Sequence, residues 1–168
     1  RMSPLASSLL TAFILALSLA VSLSAAPSQA QTVAANQTAG RVIGQISVQK
    51  NGKPKPDASE IVVYVVGFKQ KPAATVPKMA QTNRQFAPRV LPITAGQKID
   101  FPNIDKYFHN VFSLSKARRF DLGQYKKGRS KTKTFPRKGI VEVYCNIHPQ
   151  MSATILVLPN CAFAVTDK

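Results

Sequence analysis

Ile140-Val141-Glu142-Val143-Tyr144-Cys145-Asn146-Ile147-His148-Pro149-Gln150-Met151-Ser152-Ala153-Thr154-Ile155-Leu156-Val157-Leu158 decides how the rest of the chain is read. Ile140–Tyr144 and Ala153–Leu158 are short apolar runs rich in β-branched residues. Their length and composition suit strands rather than helices. Between them Cys145 to Met151 forms a short loop, stiffened by Pro149, whose ring fixes φ and which has no N–H to give a ladder. The loop carries a thiol, an imidazole and a thioether within seven residues.

Outward from this segment the chain keeps the same character. Val42-x-Gly44-x-Ile46-x-Val48 alternates with period two and predicts a strand, ended by the turn cluster Asn51 to Asp57. Ile61-Val62-Val63-Tyr64-Val65-Val66 predicts a buried strand. Pro72 to Pro77 reads as a loop, Ile93-Thr94-Ala95-Gly96-Gln97 as a turn, and Lys98-Ile99-Asp100-Phe101 as another alternating strand closed by Pro102-Asn103. Val111-Phe112-Ser113-Leu114 is a further short apolar run. No stretch of this part has a 3.6-residue apolar period. Short strands spaced by Pro and Gly predict an all-β antiparallel sandwich or barrel.

The opening of the chain differs. Leu5 to Ala26 is apolar and uncharged, and Ser28-x-Ala30 fits the small-x-small rule for signal peptidase. The expectation is a signal peptide over 1–30 cleaved after Ala30, a flexible lead-in over 31–40, and one domain over 41–166. The competing reading of the opening is an uncleaved membrane anchor. The start Arg1-Met2 and the end Thr166-Asp167-Lys168 suggest a longer protein, truncated before a further C-terminal segment.

Composition narrows the chemistry. The 168 residues are 45% apolar, enough for one packed domain, and include 2 Cys, 2 His and no Trp. Two cysteines build no disulfide scaffold and no four-thiolate zinc site. No Cys145–Cys161 bridge is expected, because a whole strand separates Cys161 from the loop; Cys161 is expected to be a small packing residue. Catalytic motifs such as GxSxG, HExxH and CxxCH are missing from the chain.

Both histidines sit beside the soft donors. His109 lies in Tyr107-Phe108-His109-Asn110-Val111-Phe112, and His148 and Met151 follow Cys145 at spacings of three and six. A thiolate and two imidazoles in a plane, with a weak thioether above it, is the donor set of a blue-copper electron-transfer site. The candidate metal ligands are therefore His109, Cys145, His148 and Met151, holding one type I copper ion. Ile147 keeps an N–H that could donate to the thiolate and raise the potential. Gln150 is a weaker candidate for the axial position.

These segments resemble the cupredoxin family of small type I copper proteins. The Cys-x2-His-Pro-x-Met loop is similar to amicyanin-type loops, since plastocyanins usually have a longer gap before Met. Gln81-x-Asn83-x-x-Phe86-x-Pro88, Phe101-Pro102-Asn103, His109-Asn110-Val111-Phe112-Ser113 and Phe120-Asp121-Leu122-Gly123 resemble bacterial cupredoxin-domain proteins, some labelled methylamine-utilisation proteins. The resemblance covers residues 81–166. It implies a cupredoxin-like Greek-key β-sandwich, copper on the four residues above, and a hydrogen bond from Asn110 across to the Cys loop.

Charge is the remaining signal. There are 23 Lys+Arg against 7 Asp+Glu, a formal net charge of +16. Residues 116–138 hold ten of the basic residues and one acid, Asp121. Such a segment suits solubility, an acidic redox partner such as a dehydrogenase or a cytochrome, or an anionic membrane surface. Export argues against nucleic acid. The expectation is a monomeric periplasmic one-electron carrier, not an enzyme. The alternatives are a copper-delivery protein without a carrier role, a nucleophilic enzyme using Cys145, and structural zinc on Cys145 and the two histidines.

Overall fold

The computed structural model describes residues 40–167. The expected signal peptide and nearly all of the lead-in lie outside the described residues. Ile43–Lys168 forms one compact unit. Among the described residues there are thirteen strands and no helix. They are β1 (Gln49–Lys50), β2 (Lys53–Pro54), β3 (Val62–Tyr64), β4 (Ala80–Thr82), β5 (Gln85–Ala87), β6 (Val90–Thr94), β7 (Lys98–Pro102), β8 (His109–Ser113), β9 (Phe120–Tyr125), β10 (Ser130–Thr134), β11 (Gly139–Tyr144), β12 (Ser152–Leu158) and β13 (Phe163–Val165).

The larger sheet has the order β6-β12-β11-β8-β9. β6 runs parallel to β12, with Thr154 opposite Val90 and Leu158 opposite Thr94. The other neighbours are antiparallel. The second layer pairs β7 with β10 and β4 with β5. Two parallel bridges, Lys78 to Asp100 and Gln81 to Asn103, join these pairs side by side. The apolar sides of the two layers meet in one core, which includes Met79, Phe86, Ile99 and Phe101 from one layer and Val111, Val141, Val143 and Ile155 from the other. Phe101, Phe120 and Phe135 close it as an aromatic triangle with ring centroids 5.8 to 6.4 Å apart. Such tilted arrangements are the favoured ones for ring quadrupoles. The architecture is the expected all-β sandwich.

β11 and β12 match the two runs that flank the Cys loop to within a residue. Alternation explains their faces: Val141 and Val143 point inward from β11, while Ile140 and Tyr144 are exposed. The turn expected over Ile93 to Gln97 is tighter than read: Ile93 and Thr94 belong to β6, and the chain turns at Ala95-Gly96. Gly96 has φ +92, where a side chain would be strained, and its N–H donates to Phe135 O at 2.8 Å.

Two expectations fail. Val42 to Val48 forms no strand, and Val42 and Ile43 are largely exposed. Pairing starts only at Gln49–Lys50, around the Asn51-Gly52 turn, whose two positive φ values (53 and 75) suit a tight hairpin. Period-two patterning describes one face of a sheet, and among the described residues the β1–β2 hairpin reaches this stretch only at its end, where Lys55 N–H donates to Val48 O at 2.7 Å. The run Ile61 to Val66 is also not a buried strand. Only Val62–Tyr64 is extended in a ladder, its one partner is β13, and Val63, Tyr64, Val65 and Val66 are exposed. It is tethered from one side, by Val65 N–H to Ala162 O (2.9 Å) and by Asn160 Nδ2 to the carbonyls of Val65 and Phe68 (2.9 and 3.2 Å).

Candidate metal centre

The site is built where three strand ends meet. His109 opens β8, Cys145 follows β11 directly, and Met151 directly precedes β12. Sheet pairing brings them together: β11 lies between β8 and β12, with Tyr144 opposite both Phe112 and Ser152. A chain separation of 36 residues between His109 and Cys145 thus becomes a contact between neighbouring strands.

His109 Nδ1 lies 3.9 Å from Cys145 Sγ and 3.0 Å from His148 Nδ1. One donor atom from each of the three residues falls within 4.8 Å of the others. His109, Cys145 and Met151 are buried, and His148 is half-buried. These separations suit a single ion with metal–nitrogen and metal–sulfur bonds of about 2.0 and 2.3 Å. The donors are two imidazoles and a thiol, a set that could hold one copper ion. Met151 is placed by its own N–H, which donates to His148 O at 2.9 Å and closes the loop into a turn. Ile147 and Gln150 are exposed on the outer side of that turn.

The two loops are tied across the site. Asn110 is buried, and its Oδ1 accepts the N–H of Asn146 at 2.7 Å, one residue past the thiol. Its Nδ2 faces Asp121 Oδ1 at 3.5 Å on β9. A bond between the residue after His109 and the residue after Cys145 holds both donors in one frame.

Asp105, Arg84 and Tyr125, which the sequence did not single out, complete the surroundings together with Gln81, Asn103 and Tyr107. Asp105 Oδ2 meets His109 Nε2 at 3.1 Å. Arg84 stacks its guanidinium 4.7 Å from the Tyr107 ring centroid, and Tyr107 stands edge-on to His148 with centroids 5.9 Å apart. Beneath them Gln81, Asn103 and Tyr125 form a buried polar layer. Gln81 Nε2 donates to Tyr125 Oη (2.6 Å), Tyr125 Oη–H to Phe101 O (2.9 Å), and Asn103 Nδ2 to the carbonyls of Tyr107 and Tyr125 (2.8 and 3.0 Å). Asn103-x-Asp105, with Asn103 Oδ1 taking the Asp105 N–H at 3.0 Å, is an Asx turn. That turn signature, four residues ahead of His109, was the available signal for Asp105.

Charge is distributed unevenly around the site. Burial raises the Asp105 carboxyl, but the N–H groups of Arg84 and Lys106 and the neighbouring His109 outweigh it and hold it below the usual carboxylate range. His148 is pushed below the ordinary imidazole value by burial, then by His109 and Arg84, against the pull of Asp105. The Tyr125 hydroxyl is pushed far up, chiefly by burial, with Asp100 and Cys145 adding to it and the Gln81 bond opposing it.

Cys161 is a correction. Expected to be a packing residue, it is instead exposed beyond the far end of β12, with Sγ 3.1 Å from Gln70 Oε1. Both cysteines are free thiols. Phe108 is exposed, and Phe112 meets Tyr144 in a tilted pair with ring centroids 5.9 Å apart.

No family model and no curated protein matches the chain. Several solved structures are similar to it. A purple cupredoxin from Nitrosopumilus maritimus shares 19% identity at TM-score 0.45, over 49% of this chain and 99% of its own. A reduced amicyanin variant shares 18% at TM-score 0.48, over 52% and 92%. A copper-containing nitrite reductase from Thermus scotoductus shares 21% at TM-score 0.49, over 57% of this chain and 25% of the reductase. Solved cupredoxins are thus among the structures this chain is similar to, and the functional reading below rests on its own donor atoms.

Proposed function

We propose that the chain is an exported type I copper protein that carries single electrons, with His109, Cys145 and His148 as the main ligands and Met151 as the axial one. The observation that supports this most is the convergence of two imidazole nitrogens and a buried thiol at one end of a rigid sandwich. Copper bound there would supply a one-electron couple, because thiolate and thioether favour Cu(I) while imidazole suits both states.

The chain's own residues would do the rest. The Asn110–Asn146 bond and the Met151–His148 turn keep the donors fixed, so little rearrangement accompanies a change of charge. Burial of Cys145 keeps water from the sulfur. His148 is the more exposed of the two histidines and offers the path by which an electron leaves toward a partner. No part of this role needs a substrate to be bound and turned over.

Export to the periplasm rests on the apolar opening of the chain and its Ser28-x-Ala30 site. An acidic redox partner, a dehydrogenase or a cytochrome, is supported by the basic segment. β9 and β10 are edge strands of the two layers, so residues 116–138 run along one side of the sandwich with Lys126, Lys127 and Arg129 exposed at the bend. Charge of one sign speeds encounter with the opposite sign and loses effect with salt.

Copper loading tests the proposal. The Cu(II) form should show an intense thiolate-to-copper absorption in the visible range and the narrow hyperfine splitting of a type I centre by EPR. A colourless protein that takes zinc in preference would overturn it in favour of a structural site.

A further inference from the structure

We propose that the groove between residues 66–69 and the outer face of β11 and β12 binds a single-chain anionic amphiphile, such as a long-chain carboxylate, with its acyl chain along the apolar walls and its head group between Lys69 and Lys138. The groove lies at the far end of β12 from the metal centre. Met151 directly precedes that strand, and Pro159, which lines the groove, directly follows it. The 7 residues of β12, at about 3.3 Å each, separate the two. The groove can therefore fill whether or not copper is bound.

The walls are apolar and fixed. Ile140 and Leu156 stand opposite each other in the β11–β12 register. Their neighbours Val141, Ile155 and Val157 are buried in the core, so alternation turns Ile140 and Leu156 to the outer face. Val66 and Phe68 form the facing wall; they are 72% and 41% exposed, and Ile140 is 58% exposed. Contiguous apolar side chains left open to water in this way mark binding grooves. The Val66–Phe68 wall is tied down on both sides, by Val65 N–H to Ala162 O and Gln70 N–H to Pro159 O (2.9 and 3.0 Å). It bends at Gly67, whose φ of +98 suits glycine. A wall held in place before binding loses little freedom when a ligand arrives. The volume, about 620 Å³, is that of a small-molecule site.

Charge selects the head group. Lys69 comes from one wall and Lys138 from the other, and among the described residues no acid lines the groove. Neither lysine has a carboxylate partner among those residues. A second hollow, of about 490 Å³, shares Lys69, Lys138 and Pro159 with the first and adds Arg137. The Arg137 guanidinium is held by the carbonyls of Ala117 and Lys116 (3.3 and 3.1 Å), which fixes a third positive charge at this junction. The acid on β11, Glu142, lies outside the groove, and its carboxylate accepts the Thr154 hydroxyl at 3.0 Å. Apolar walls that run into a cluster of cations match a chain that ends in an anion. A bilayer surface is flat and cannot enter between two walls, whereas one acyl chain can.

The test follows backbone amides of the uniformly 15N-labelled full chain by NMR while decanoate, dodecanoate and tetradecanoate are added below their micelle-forming concentrations. The amides of Gly67, Phe68, Gly139 and Ile140 should shift and saturate, and those of Asn146 and His148 at the metal centre should stay unmoved. Each added methylene should lower Kd about two- to fourfold, the larger factor being that of a fully buried CH2. Lys69→Gln/Lys138→Gln should raise Kd about three- to tenfold. Lys50→Gln/Lys53→Gln removes the same charge from the exposed β1–β2 hairpin and should leave Kd unchanged. Ile140→Asp, which puts a carboxylate on the apolar floor, should abolish saturation. The wild-type series decides even where a variant does not fold: shifts that fall outside the groove, or a Kd indifferent to chain length, overturn the site. Equal affinities of the two lysine pairs overturn the choice of head group. A protein that ignores the monomers and binds only phosphatidylglycerol vesicles overturns the amphiphile in favour of a membrane surface.

Discussion

Ala153–Leu158 and Ile61–Val66 are nearly the same kind of sequence and meet opposite fates. The first lies in β12, hydrogen-bonded on one side to β11 and on the other to β6, and Ala153, Ile155, Val157 and Leu158 are buried. The second contributes only Val62–Tyr64 to a ladder with a three-residue partner, and its Val63 to Val66 stay exposed. A β-branched run therefore signals an extended backbone. Whether it is buried depends on how many strands flank it and on what covers its face. The candidate metal ligands of the Cys145–Met151 loop hang on the first kind of strand. Met151 immediately precedes β12 and Cys145 immediately follows β11, so the site inherits the rigidity of the best-paired part of the sheet.

The comparison can be broken most severely through the two thiols. Cys145→Ser should abolish the visible copper band, because the thiolate is its source. Cys161→Ser, beyond the opposite end of β12 and beside the β3 region, should leave the spectrum and the potential unchanged. Absorption spectra of the two loaded variants check both outcomes. A next contrast is in stability. Ile155→Ala in β12 should cost about 2–5 kcal/mol, the range for truncating a fully buried aliphatic side chain. Val63→Ala in β3 should stay within ~0.5 kcal/mol, as for other exposed positions. Urea denaturation of the metal-free forms measures the difference.

Smaller effects sharpen the same picture. Asn110→Ala removes the acceptor of the Asn146 N–H and should cost about 1 kcal/mol net, since Asn146 can turn to water instead. Its clearer sign should be a broadened or shifted copper band from a loosened Cys loop. The smallest effect concerns pH. His148 and Asp105 both sit below their ordinary values when folded, so the folded chain binds fewer protons than the unfolded one, and stability rises with pH. The His148 share is complete above its unfolded value of about 6.5 and fades as pH falls through the lower folded value. The Asp105 share is complete above about 3.9 and fades below it. Thermal unfolding of the metal-free protein should therefore give a Tm that climbs from mildly acid to neutral pH, and His148→Ala should flatten the upper part of that climb.

Much of the site was legible because its chemistry is concentrated in local sequence. Cys145, His148 and Met151 lie on one short loop between two runs of plain strand character, and the remaining histidine stands next to Asn110. The basic residues of 116–138 were equally plain. Asp105 and Arg84 were not. Each belongs to a turn whose purpose appears only when the β4–β5 hairpin and the segment before β8 are folded against each other. A backbone N–H from residue 84 reaching the carboxylate of residue 105 leaves no trace in periodicity or spacing.

Local pattern failed for the first strands for a related reason. Residues 42–48 alternate as a strand should, and residues 61–66 are as β-branched as any in the chain. Alternation and branching describe what a strand looks like from its own residues, while a ladder also needs a neighbour with free N–H and C=O groups. That neighbour is supplied by tertiary structure.

The amino-acid sequence by itself determined the strand-rich character of the chain, its strong positive charge and the presence of four potential metal donors, because these depend on residue types and on short-range spacing. Tertiary structure alone decided that β8 should lie beside β11, bringing His109 within 3.9 Å of Cys145, and that Asp105 should stand behind His109. Contacts between residues far apart in the chain depend on which strand pairs with which, and pairing is a property of the whole sheet.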